Sequence, residues 1–339
     1  MDLEKTFIQI VDEIMPRSNL RLSKCFENDA ELVNFNGQKL LFTIDDFSSE
    51  DQFRENDPYT LGWNIAVAAI SDILAAGGIP IFYSHSMVIN NKWNLNFTKS
   101  FSRGVADVLK KLDMTFIGGD FGKSKEWKYS AAVIGKPGER VINRKGAQPN
   151  DIIYISGRIG AGNLEAALNI YSKDKKIAML AGTIKNSFKI RSKEAQLMRK
   201  YASSCIDTSD GVFNALNTIS EINNVGYSVS EIAYDVTAKT LLKFMSLPKE
   251  LLFLGECGEY ELLFTVRAGD EKKLIMESQK SGLKLRRIGK IVKDPSTKEL
   301  IDRKKVYRLD KLKSKARNYD SVKEYLQVLT EFLRGQNAK

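Results

Sequence analysis

At 339 residues the chain is long enough for about two domains of ordinary size. Its 43% hydrophobic and 28% charged residues fit a folded globular protein, and no apolar run approaches the ~20 residues a membrane span needs, so no membrane partner is expected. Three scattered cysteines and one histidine argue against a disulfide framework, a zinc site or a multi-histidine metal site. The formal charge of +10 is spread along the chain without a basic stripe interleaved with aromatics, so no nucleic-acid partner is expected either.

The N-terminal "MDLEKTFIQIVDEIM" is amphipathic and acidic, predicts a helix, and differs from a secretory signal, so a cytoplasmic protein is expected. "KLLFTIDDF" reads as a buried strand ending on Asp45 and Asp46. In "DPYTLGWNIAVAAISDILAAGGIP" Asp57 caps a helix, Pro58 takes its first turn, and Gly77-Gly78 stop it. Val67, Ile70 and Leu74 form its core stripe, with Asp72 on another face. "IPIFYSHSMVI" predicts a strand holding a structural His85, Phe97–Leu112 a helix, and "MTFIGGDF" a strand that breaks at two glycines before Asp120. "KGAQPNDIIYISG" marks a boundary, which gives domains of 1–147 and 148–339. Beyond it "GRIGAGNLEAALNIY" runs from strand through glycine turns into a helix, "YSVSEIAYD", "ELLFTV" and "LKLRRIGKIV" predict strands, and Asp320–Leu333 a helix. Strands and helices mix in both halves, so the fold class is α/β or α+β.

Six aspartates stand at element ends or beside small residues: Asp29, Asp45, Asp72, Asp120, Asp207 and Asp210. A single aspartate in such a place is ordinarily a cap or turn residue. Several buried together need a cation, and an all-oxygen set without Cys or His points to magnesium. The chain has no G-x-x-x-x-G-K-[ST] loop and no protein-kinase loop set, so neither of those nucleotide-binding designs applies. Gly157, Gly160 and Gly162 miss the dinucleotide-loop spacing and read as a tight turn, although an anion could rest at the helix that follows.

The motifs "TIDDF", "GWNIAVAAISDILAAGGIP", "GGDF", "RKGAQPND", "CIDTSDGV" and "YELLFTV", in this order, resemble the thiamine-monophosphate kinases of the AIR synthase-like superfamily. The resemblance covers roughly residues 25 to 320 and implies a two-domain fold whose N-terminal α/β domain pairs across a homodimer, followed by a C-terminal α/β domain. It also implies ATP and magnesium in the cleft between domains, and phosphoryl transfer to a small, phosphorylated acceptor. Residue by residue, Asp29, Asp45, Asp72, Asp120, Asp207 and Asp210 match metal ligands, with Asp120 and Asp210 closest to the chemistry. Gly119, Asp120, Arg144 and Ser209 match nucleotide contacts.

The substrate positions depart from the family pattern. Gln52 stands in place of a histidine, and Gly258 replaces an acid of "GGEDYELL" while Glu259 keeps the neighbouring one. Tyr319 matches a late aromatic of the substrate pocket. The acceptor is therefore open. The rival readings are another ATP-using member of the superfamily, of cyclo-ligase or dehydratase type, and a non-catalytic nucleotide-binding paralogue.

Overall fold

The computed structural model describes residues 3–16, 18–49, 57–170, 186–303, 305–312 and 315–336. Helix α1 (Leu3–Ile14) leads into a sheet of β1 (Glu31–Phe35), β2 (Gln38–Ser48), β3 (Ile79–Asn90), β4 (Thr115–Ser124) and β5 (Lys128–Lys136). Its strand order is β1-β2-β5-β3-β4, with β3 and β4 parallel and the other neighbours antiparallel. Alternation along β2 sends Leu41, Thr43, Asp45 and Phe47 to one face and Phe42, Ile44 and Asp46 to the other. The first face is covered by α2 (Pro58–Ala75) and α3 (Leu95–Lys111). The second is open, leaving Ile44 63% exposed and Phe82 39% exposed.

α2 begins as the sequence predicts, with the Asp57 carboxylate accepting from the Thr60 N–H at 3.2 Å and Pro58 in the first turn. The single core stripe is not what the structure shows. α2 is buried on nearly every side, because a second sheet presses on it from behind. That sheet comprises β6 (Ile152–Ile155), β7 (Ala202–Asp207), β8 (Gly226–Val229), β9 (Leu262–Val266), β10 (Arg286–Val292), β11 (Lys298–Asp302) and β12 (Lys305–Arg308). Its order is β12-β11-β8-β10-β6-β9-β7, antiparallel apart from β8 beside β11.

The two faces of the second sheet serve different cores. Ile152, Tyr154, Leu262 and Phe264 join α2 and the first sheet. Ile153, Ile155 and Leu263 face the sheet's own helices. Those helices are α4 (Ala161–Ile170), α6 (Gly211–Asn223), α7 (Val236–Phe244), α8 (Leu251–Leu254) and α10 (Val322–Gly335), whereas α5 (Ser192–Tyr201) and α9 (Glu271–Lys280) pack on the first core through Ala195, Leu197, Met198 and Leu274.

The chain crosses from one sheet to the other between Lys136 and Ile152, where "KGAQPND" lies. The strand predicted from "YSVSEIAYD" ends early, at Val229, and only an isolated bridge from Ile159 to Tyr234 continues the pairing. Cys25, Cys205 and Cys257 are free thiols. Among the described residues no helix is long and apolar enough to cross a membrane.

Candidate active site

Three carboxylates meet where the two sheets sandwich α2. Asp29 comes from the loop before β1, Asp72 from α2 and Asp207 from the end of β7, and their nearest oxygens all lie within 4.8 Å of one another. Asp45 joins them electrostatically from the buried face of β2, since its charge acts on Asp72 while Asp207 and Asp29 act on it. Asp207 is almost fully buried, whereas Asp72 and Asp45 are half-buried, so the cluster keeps one side accessible.

Hydroxyls and one guanidinium fix these carboxylates in place. Thr43, two residues before Asp45 on the same face of β2, donates to Asp72 Oδ2 at 2.6 Å. Ser71 donates a short hydrogen bond to Asp207 Oδ2, and Ser209 Oγ donates to Asp207 Oδ1 at 3.1 Å. Arg144 Nε donates to Asp29 Oδ1 at 2.6 Å, and the Asp29 side chain is only 1% exposed. The sequence reading missed Thr43 and Ser71, although Thr43 shares Asp45's strand parity and Ser71 adjoins Asp72.

Four carboxylates face one guanidinium here, so the site is short of positive charge. Two like charges about 5 Å apart repel by about 3 kcal/mol at an effective dielectric of about 20. Burial, then the neighbouring acids, push Asp45 up to about 7. Burial also lifts Asp29 to about 6 against the pull of Arg144. Asp72 is driven well above the usual carboxylate range by burial and by Asp45, Asp207 and Asp29. Burial tends to lower Arg144, but Asp29, Asp72 and Asp207 outweigh it and the net shift is upward. An all-oxygen, electron-rich and partly open site of this kind fits a hard divalent cation.

The remaining expected site residues are placed less uniformly. Asp120 stands exposed on β4, outside the group of converging carboxylates. Register explains this: Asp45, Ala131, His85 and Gly119 form one row across the first sheet, while Asp46, Ser130, Ser86 and Asp120 form the next. Successive rows face opposite sides, so Asp120 belongs to the open face with Asp46, which accepts from Ser130 Oγ at 2.5 Å. Gly119 is a packing necessity, because a Cβ there would sit 2.2 Å from the His85 carbonyl oxygen. His85 is a structural residue, its Nδ1 lying 2.6 Å from the Tyr129 hydroxyl. Ser209 and Asp210 are exposed at the mouth of α6, and Asp210 makes no capping hydrogen bond to the helix.

On the substrate side, Gln52 lies outside the described residues. A side chain at Gly258 would meet the Thr208 carbonyl oxygen at 1.5 Å, so the lack of an acid there has a steric cause. Glu259 is buried, and its Oε1 accepts from the Gly160 and Gly162 N–H groups at 2.8 Å each. Burial pushes its pKa up to about 8. The place at the α4 N-terminus where an anion could rest is thus taken by this glutamate's carboxyl oxygen, supplied by the chain itself. Tyr319 is half-buried, its ring 5.7 Å from that of Tyr325.

Residues 27–136 match the family model "AIR synthase related protein, N-terminal domain". This part of the chain, with Asp29, Asp45, Asp72 and Asp120, is similar to the N-terminal domain of AIR synthase-related proteins. Over most of its length the chain is similar to thiamine-monophosphate kinases. It is 25% identical to that of Aquifex aeolicus over 252 residues, covering 72% of this chain and 81% of the relative. It is 26% identical to that of Methanocaldococcus jannaschii over 310 residues, covering 86% and 94%. The fold matches a solved structure described as AaThiL complexed with AMPPCP and TMP, with TM-score 0.69, 22% identity and coverage of 86% and 93%. The hydrogenase maturation protein HypE of E. coli shares the fold more distantly, with TM-score 0.64, 16% identity and coverage of 78% and 83%.

Proposed function

We propose that the protein is an ATP- and magnesium-dependent phosphotransferase that passes a phosphoryl group from ATP to a small phosphorylated acceptor. The observation that carries this reading is the convergence of Asp29, Asp72 and Asp207 within 4.8 Å, from three elements far apart in sequence. The similarity to thiamine-monophosphate kinases supports the reaction class, and the AaThiL structure, described as complexed with AMPPCP and TMP, supports a nucleotide and a phosphorylated acceptor as ligands.

Asp29, Asp45, Asp72 and Asp207 would hold magnesium. Bound there, the ion supplies positive charge that neutralises phosphate oxygens. The chain's own residues set the geometry. Thr43 and Ser71 fix the carboxylates of Asp72 and Asp207 by hydroxyl donation, and Arg144 holds Asp29. The exposed Asp210 is assigned an outer metal and phosphate contact, with Arg144 and Ser209 on the nucleotide; Asp120 and Gly119, set apart from the four carboxylates by strand register and packing, are given no contact to either. An acceptor that is already a phosphate needs little general-base help, so positioning and electrostatics carry the rate. Gln52, Glu259 and Tyr319 are the candidate determinants of the acceptor.

In this reading the chain divides into domains 1–147 and 148–339, works in the cytoplasm, and pairs with a second copy through the open apolar face of the first sheet. Light scattering at twice 38.2 kDa checks the pairing, and a monomer mass removes it. The reaction is tested by incubating purified protein with ATP, magnesium and thiamine phosphate. Release of ADP with formation of the diphosphate is expected. Tight ATP binding without turnover on any phosphorylated acceptor would favour the non-catalytic paralogue instead.

A further inference from the structure

A cavity of about 400 Å³ opens at the end of β6, walled by Ser156, Gly157 and Arg158 on one side and by Phe188, Arg191 and Arg286 on the other. Seven buried side-chain polar atoms lack a hydrogen-bond partner among the described residues, and three of the seven belong to residues lining this cavity: Asn186 Nδ2, Arg191 Nε and Arg286 Nε. All three are N–H donors. A buried donor left without an acceptor costs roughly 1–3 kcal/mol, more on a charged group, so three around one space mark a deficit of acceptors there.

The cavity's carboxylates do not make up that deficit, because each is engaged through at least one oxygen and none reaches the three unpartnered donors. Glu261 takes Arg191 on Oε1 and the Ser156 hydroxyl on Oε2, while Glu194 takes the other terminal nitrogen of Arg191. Glu259 is held by the Gly160 and Gly162 backbone, and Asp235 accepts from Ala238 N–H at 2.9 Å to cap α7. Lys189, Lys284 and Arg286 also line the cavity, and none of them has a carboxylate partner among the described residues. What would satisfy this wall is a ligand rich in acceptors, carrying negative charge, and small.

We propose that this cavity is a binding site for a phosphate monoester, held by Arg286, Lys284 and Lys189 with Asn186 as a neutral donor. A phosphate dianion offers acceptor oxygens only and matches guanidinium and ammonium groups by charge-assisted hydrogen bonds. A metal cation is refused by the surplus of donors. A volume of about 400 Å³ is that of a small-molecule site rather than a polymer groove. The site also stands close to the acids along the sheet edge. The Glu261 N–H donates to Thr208 Oγ1 at 2.9 Å, and Thr208 follows Asp207 directly. The same chemistry could come from the acceptor's own phosphate or from free phosphate.

The test is calorimetric titration of the full chain, without magnesium or ATP, using inorganic phosphate and thiamine phosphate as separate probes. Saturable binding that weakens with salt is expected. Arg286→Gln and Lys284→Gln should each weaken it by about ten-fold, the loss of one charge-assisted contact, and Arg286→Lys should restore part of it. Thermal melts of the same variants establish that they fold. Much tighter binding of the ester assigns the site to the acceptor, and equal binding assigns it to phosphate alone. No saturable binding of either probe, or affinities unchanged in folded Arg286→Gln, overturns the proposal. Asp207→Asn, which removes a proposed metal ligand, should leave phosphate binding intact, so this inference and the phosphotransfer reading fail separately.

Discussion

Buried charge is treated in opposite ways at two neighbouring places in this molecule. Around Arg191, two glutamates share one guanidinium and a serine hydroxyl takes a further oxygen, so each carboxylate has its own donor. Around Asp72 and Asp207, four carboxylates share a single Arg144, and burial with mutual repulsion lifts Asp29 and Asp45 to about 6 and about 7. In the first arrangement every carboxylate has a donor, although Arg191 Nε stays unpartnered, and the pairs hold α5 to the end of β6 and the start of β9. The second is short of positive charge. Compensation separates scaffold from site here more cleanly than burial does.

Substitutions at the two places should therefore respond differently. Asp72→Asn is expected to cut magnesium-dependent ATP turnover by about 10³-fold or more. Without metal, the folded carboxylate pKa values lie above those of the unfolded chain, so native stability is held at low pH and lost as pH rises through about 7. Asp72→Asn should flatten that decline, and the rise in melting temperature on adding magnesium should grow between about pH 6 and about pH 8 in the wild type alone. A wild-type melting temperature indifferent to magnesium would break the contrast. Glu261→Gln removes a charged partner from Arg191 and should cost about 3 kcal/mol in denaturant unfolding. An unchanged denaturation midpoint would show that Glu194 suffices for Arg191. The smallest effect is expected of Thr43→Val, which frees Asp72 Oδ2 from its hydroxyl donor. Magnesium affinity, read by titration, should fall about ten-fold while the fold is kept; equal affinity would leave Thr43 a packing role only.

The backbone plan was legible because alternation and caps are local signals. Asp57 and Pro58 start α2 where they stand in the sequence, and the apolar run before Asp45 is β2. Four of the six aspartates singled out, Asp29, Asp45, Asp72 and Asp207, lie together in space. Asp120 could not be placed by eye, because its face depends on strand pairing and on a register shift between Tyr83 and His85. Nor could the pairing of Arg144 with Asp29 across 115 residues be read from spacing. The glycine at 258 reads in sequence as a lost acid, and only the fold puts the Thr208 carbonyl in the space a side chain would need. All-round burial of α2 was hidden too, since β7 and β9, which begin far downstream at Ala202 and Leu262, supply its second cover.

That double cover has a mechanical corollary. Consecutive residues of α2 serve both halves of the molecule: Ser71 grips Asp207 at the tip of β7, and Asp72 is gripped by Thr43 of β2. The helix works as a common spine, and prising the halves apart would scatter the clustered carboxylates before any strand had to melt.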